Sequence, residues 1–329
     1  MSCELVTFGE AMIRFSPPGF SRLEQATSLR VDVGGAELNV AVAAQRLGLS
    51  ASYVTRLVAN ALGRMVTSRA GEHGVDTSHV VWTKDDRVGL YFTEFGAAPR
   101  PNSVLYDRTG SAMARIRRGE IDWGSIFRGV RIFHTSGITP ALSPSAADAT
   151  REAIQRAKKA HVKVSIDLNY RARLWSQEQA RRVMTELTEA ADILITTEED
   201  TKRVFGIEGA DYEEVARSLA ARFRLEAVAI TLRETPSVWR NTWTAIVLDA
   251  AGVVHRAPVY DLELVDRVGG GDAFAGGFLY GYLTGDAKRA VDYGVAVSAL
   301  KQTTPGDFSW VTRDDAETLL TSPDLRIVR

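Results

Sequence analysis

From about residue 130 onward, short runs rich in β-branched and apolar residues alternate with segments whose apolar positions recur at helical spacing. That alternation predicts parallel strands joined by crossover helices. The predicted strands are "RIFHTSG" (131 to 137), "VKVSIDLN" (162 to 169), "DILITT" (192 to 197) and "EAVAITL" (226 to 232). Ser143 before Pro144 marks a helix start, and "SQEQ" (176 to 179) and "DYEE" (211 to 214) have capping-box spacing. Gly206 suits a helix stop.

The first third is patterned differently. "ELNVAVAAQRLGL" (37 to 49) keeps apolar residues on one helical face, whereas "RVGLYFTEFG" (87 to 96) and "NSVLYDRTG" (102 to 110) read as strands. A hairpin needs further strands to be stable, and "MIRFSP" (12 to 17) and "SLRVDV" (28 to 33) are the candidates for a separate small sheet.

Composition narrows the function classes. The chain has 40 basic and 41 acidic residues among 329, a net charge of −1, so no overall field favours nucleic acid or an anionic membrane. One cysteine, Cys3, excludes an internal disulfide framework and any CxxC motif, which fits a reducing, cytoplasmic setting. The start "MSCELVTFGEAMIRF" lacks the pattern of a secretory leader, and no apolar run reaches the length of a spanning helix. The five histidines show no metal-ligand spacing.

The candidate chemistry lies in "DRVGGGDAFAGGF" (266 to 278). Gly269, Gly270 and Gly271 precede a segment with Phe274, Phe278 and Tyr282 at helical spacing, which places them at a helix N-terminus. Free N–H groups and the positive end of the helix dipole gather there and favour a phosphate or an oxyanion. Asp272 falls in the first turn, where the dipole is expected to keep it ionised, so that it can accept a proton from an attacking hydroxyl. The plainer alternative is a glycine-rich helix start with an ordinary first-turn acid. Neither GxGxxG at this turn nor GxxxxGK[ST] occurs, so a dinucleotide turn and a P-loop are excluded.

This stretch resembles the C-terminal signature of the ribokinase-like (PfkB-type) carbohydrate kinases, and "GGAELNVAVAAQRLGLSASYVTRLVANALGR" (34 to 64) resembles their N-terminal one. The resemblance spans essentially the whole chain. It implies a doubly wound α/β fold with a mostly parallel sheet flanked by helices, and a small β-sheet lid over the sugar. The large domain would comprise 1–11, 34–86 and 112–329, and the lid 12–33 and 87–111.

Further stretches, "VGLYF", "LYDRTGSA", "DLNYRARLW", "ITTEEDT", "ITLRE" and "TTPGDF", are similar to the branch that phosphorylates 2-keto-3-deoxygluconate. The resemblance implies that Gly35, Asn39, Tyr91, Tyr106, Arg108 and Arg171 contact the sugar acid. Asp272 would be the base, Gly269 to Gly271 the anion hole, and Asn169 and Thr231 would lie near ATP. Arg233 is within reach of phosphate on the same reading. Arginines suit this substrate, because a planar guanidinium binds a carboxylate at two points. For Arg108 the competing reading is a surface ion pair with Asp107.

Two departures stand out. Where the family carries an NxxE pattern near its metal, this chain has Thr197 and Asp200, which leaves Asp200 as an oxygen ligand able to hold Mg²⁺ through water. A glycine-containing turn after "TL" is replaced by "TLRETPSVWRNTW". Two alternatives remain open on sequence grounds, a kinase of a neutral sugar such as ribose or fructose and a non-catalytic sugar-binding protein of the same fold. The resemblance also implies a homodimer formed through the lid sheets.

Overall fold

The structure, a computed structural model, describes residues 3–321. Six strands lie side by side in parallel, in the spatial order Ala51–Val54, Leu5–Phe8, Ile132–Ser136, Lys163–Asp167, Ile193–Thr197 and Ala227–Ser237. Arg240–Leu248 folds back antiparallel on the last of these and carries Val254–Arg256 and Tyr260–Glu263 as further antiparallel partners. Four of the parallel strands are the four predicted. The departure "TLRETPSVWRNTW" forms the far end of the antiparallel hairpin, with a register shift between Glu234 and Ser237.

Side chains alternate across the sheet, and each face buries its own helical layer. Leu5, Ile132, Ile193 and Ala229 pack with Leu38, Phe274 and Val295 of the helices Ala36–Leu47, Gly270–Thr284 and Ala287–Gln302. Val6, Phe133, Leu194 and Ile230 pack with Ala153, Val183 and Leu219 of Pro144–Lys159, Gln177–Glu189 and Tyr212–Phe223. This two-sided cover is the doubly wound arrangement expected from the sequence. Among the described residues no helix is long and apolar enough to cross a membrane.

Helix starts follow the predicted chemistry. Ser143 Oγ accepts from Ala146 N at 3.0 Å, and Ser176 and Gln179 form a reciprocal capping box. Asp211 caps Glu214 N at 2.9 Å, but the Glu214 carboxylate reaches Ala210 N instead of Asp211 N, so that box is only half formed. Gly206 ends its helix at φ 67°, as expected.

The four stretches assigned to a second sheet form one, in the order Arg30–Gly34, Met12–Ser16, Gly89–Glu94, Ser103–Asp107. Met12–Ser16 and Gly89–Glu94 run parallel, while the outer pairs are antiparallel.

Candidate active site

A cavity of about 1120 Å³ lies where the carboxyl ends of the parallel strands meet the small sheet. That edge is where open α/β sheets place their ligands. It is lined by Gly35, Asn39, Tyr91, Tyr106, Arg108, Asn169, Arg171, Asp200, Thr231, Arg233, Gly269, Gly271 and Asp272, so every residue singled out from the sequence reaches it except Gly270.

The helix Gly270–Thr284 sets the geometry. Gly269 caps it at φ 80°, a left-handed conformation that glycine adopts without strain. A Cβ at Gly276 would collide with Ala43, and one at Gly277 with the Tyr293 carbonyl. The bare backbone therefore lets this helix press against both Ala36–Leu47 and Ala287–Gln302. Close approach brings Asp272 to Asn39, whose Nδ2 donates to Asp272 Oδ2 at 2.7 Å, while Gly35 N donates to Asn39 Oδ1 at 3.3 Å.

Gly270 departs from the expectation. Its N–H donates to the Arg267 carbonyl at 3.2 Å and its carbonyl accepts from Ser298 Oγ at 2.7 Å. It faces Gln302 inside the protein, so its amide is not a free donor for an anion.

The charge state of Asp272 also differs in its cause. Enclosure by protein raises its pKa to about 6, against the lowering effects of Asn39 and Arg171. Desolvation outweighs these opposing contacts, yet the group stays ionised near neutral pH. Asp167, at the end of its strand, lies well above the ordinary carboxylate range through burial, then through the charges of Asp272 and Asp200. Asp200 is raised by burial, with Arg171 opposing. Arg171 thus counters three acids.

Arg108 does not pair with Asp107. Asp107 ends the strand Ser103–Asp107 and meets Arg87 at 2.6 Å, while Arg108 lies just beyond it. The Arg108 guanidinium instead donates through Nε to Glu10 Oε2 at 2.7 Å and again through Nη2. Three of its five donors remain for another partner. Tyr106 lies 5.6 Å below that guanidinium and stacks on Tyr91 at 5.9 Å. The Tyr91 hydroxyl donates to Asp307.

Beneath the glycine turn is a buried charge network that sequence reasoning missed. Arg14 Nη1 sits 2.8 Å from Asp266 and 2.9 Å from Asp307, all three inaccessible to solvent. Asp266 also accepts from Val268 N and Gly306 N, each at 3.0 Å. Lys301, wholly buried, donates to the Asp266 carbonyl at 3.0 Å and to that of Val268, which pins the loop ahead of the glycines. These partners lie far apart in sequence, and only an isolated charge within an apolar run hinted at each.

Thr197 is engaged as a helix cap, its Oγ1 accepting from Asp200 N at 3.1 Å. Among the described residues no three His, Cys, Asp or Glu side chains gather to hold a metal ion. The donor set near Asp200 and Asp167 is all oxygen, which suits a hard cation whose remaining ligands are water and phosphate.

Fold and site together define a sugar kinase. Residues 3–311 match the family model "pfkB family carbohydrate kinase", and the chain belongs to that family. It is 42% identical over 330 residues, covering 100% of both chains, to a 2-dehydro-3-deoxygalactonokinase of Haloferax volcanii. It is 31% identical over 307 residues to a 2-dehydro-3-deoxygluconokinase of Thermoproteus tenax, covering 92% of this chain and 89% of the relative. The crystal structure of a 2-dehydro-3-deoxygluconokinase from Thermotoga maritima superposes with a TM-score of 0.95 at 40% identity, covering 98% of this chain and 99% of the other.

Proposed function

We propose that the protein transfers the terminal phosphoryl group of ATP to the 6-hydroxyl of a 2-keto-3-deoxy hexonate, 2-keto-3-deoxygluconate or its galacto epimer. The observation that carries this reading is the junction of Asp272, held by Asn39, with the opening turn of a helix in a cavity that also holds Arg108 and Arg171. Both relatives and the solved structure named above act, by their names, on substrates of this class.

In this reading the sugar acid lies between Gly35, Tyr91, Tyr106, Arg108 and Arg171, with its terminal hydroxyl at Asp272. Arg108 offers its free donors to the substrate carboxylate. Asp272 accepts the hydroxyl proton as the oxygen bonds to the phosphorus, and the bond from that phosphorus to the bridging oxygen of the departing diphosphate breaks. The N–H of Gly271 faces the moving group and stabilises its charge, whereas that of Gly270 is already engaged. Asn169, Thr231 and Arg233 flank the nucleotide. Mg²⁺ would neutralise phosphate charge near Asp200, held there mainly through water and phosphate oxygens.

Two copies would meet through the small sheets, where Leu29, Val31 and Leu105 are 38%, 41% and 58% exposed. Static light scattering at micromolar concentration checks this, with a monomer mass as the contrary result. The substrate is tested by measuring ADP release with both 2-keto-3-deoxy hexonates, ribose and fructose. Turnover with a keto-deoxy acid at a kcat/KM well above that of either neutral sugar is expected, and the reverse order refutes the assignment.

A further inference from the structure

Arg267 stands two residues ahead of Gly269 and lines the same cavity as Gly269, Gly271 and Asp272. Arg233 reaches that cavity from the strand Ala227–Ser237, directly opposite Trp243 in the hairpin. Trp243 also lines the cavity, though its Nε1 is buried away from it.

The two arginines differ from the other cations of the cavity. Arg108 is tied to Glu10, and Arg203 to Glu199 at 2.6 Å. Arg171 counters three acids and donates to the Tyr170 carbonyl at 3.2 Å. Arg233 and Arg267, among the described residues, form no side-chain hydrogen bond and no ion pair. They face each other's charge instead. Partial burial, and then the nearby Arg233, hold Arg267 below the usual arginine range. Two unneutralised guanidiniums in one cavity are unfavourable for the empty protein and favourable for a compact polyanion.

We propose that Arg267 and Arg233 clamp the phosphate chain of the nucleoside triphosphate, and that Arg267 is a catalytic residue which bears on the phosphoryl group in transfer. Its place two residues before the glycine turn puts its charge beside the amides that receive that group, whereas Arg233 holds the phosphates nearer the nucleoside. A cation delivered within the chain serves the role that charge neutralisation plays in phosphoryl transfer generally. The inference rests on the kinase reading of the cavity and is independent of which sugar acid is bound.

The test uses the full chain without sugar. Titration calorimetry compares the non-hydrolysable triphosphate AMP-PNP with adenosine, for the native protein and for Arg267→Ala, Arg267→Lys and Arg233→Ala. Removing one charged donor is expected to weaken AMP-PNP about ten- to a hundredfold and to leave adenosine unchanged. Lysine at 267 should restore part of the loss, and the native protein should show the steeper salt dependence. The melting temperature of the unliganded Arg267→Ala protein should not fall, because the residue has no partner to lose. In the kinase assay kcat should drop for Arg267→Ala while the KM for the sugar acid holds.

AMP-PNP binding within about twofold of native in both alanine variants would overturn the clamp, since a lost charged hydrogen bond exceeds that. An equal loss for adenosine, or a raised sugar-acid KM with normal AMP-PNP binding, would overturn it too. If Arg267→Ala melts lower, Arg233→Ala, altered at an exposed position, decides by the same comparison. A native protein that shows the expected nucleotide differences but phosphorylates no keto-deoxy acid would refute the substrate and leave the clamp standing.

Discussion

Replacing Asp272 by asparagine should abolish turnover and stabilise the protein. Asparagine keeps the shape and the acceptor for Asn39 Nδ2 but cannot take a proton. Loss of a positioned base costs about 10²- to 10⁴-fold in kcat. On the stability side, the folded protein holds the Asp272 pKa at about 6, above the ordinary carboxylate value of about 4. Between those values the native state binds a proton that the unfolded chain has released, so stability falls as pH rises through the window. Above pH 6 the ionised group costs at most about 3 kcal/mol relative to an ordinary carboxylate. That figure already contains the opposing effects of Asn39, Arg171 and Lys301 and the repulsion from Asp307. Asp272→Asn should therefore melt a few degrees above native at pH 7.5, with the gap closing near pH 4. Differential scanning calorimetry across that range, with kcat measured in parallel, checks both arms. The native kcat should itself decline as pH falls through about 6. A variant with near-native turnover, or with a melting temperature below native at pH 7.5, would refute the reasoning.

Arg108→Ala should raise KM for a keto-deoxy acid at least tenfold and affect ribose or fructose little, read from steady-state kinetics, and an equal loss for both classes would remove its carboxylate role. Arg14→Met strands Asp266 and Asp307 in the interior and should cost about 3–5 kcal/mol by urea denaturation, with a loss under about 1 kcal/mol as the contrary result. Gly269→Ala forces a Cβ into the Asp307 carbonyl at φ 80° and should cost about 1–3 kcal/mol together with kcat, whereas Gly271→Ala, with open space around its Cβ, should spare stability.

Much of this was legible in the chain, and the residues that were not share a cause. The parallel strands from Ile132 to Ser237 and the small sheet follow from period and turn chemistry, which are local. Leu5–Phe8 and Ala51–Val54 give no signal in the sequence because four residues buried on both faces carry no alternation. The return strand Arg240–Leu248 was hidden by the polar start of its hairpin. At the site, each residue type was readable and its partner was not. Arg108 pairs with Glu10 rather than Asp107, Lys301 with loop carbonyls, and the amide of Gly270 with Arg267, and each link needs the folded backbone. The Asp272 case is similar, since its place in a first helical turn is visible in sequence but its enclosure, the largest cause of its raised pKa, is not.

The most direct test of the account is a crystal structure with a 2-keto-3-deoxy hexonate and AMP-PNP bound together. The terminal hydroxyl oxygen is expected about 2.6–3.2 Å from an Asp272 carboxylate oxygen, in line with the terminal phosphorus. The substrate carboxylate should lie on Arg108. A sugar acid bound with its carboxylate toward Asp272, or with its terminal hydroxyl beyond the reach of that group, would contradict the central claim.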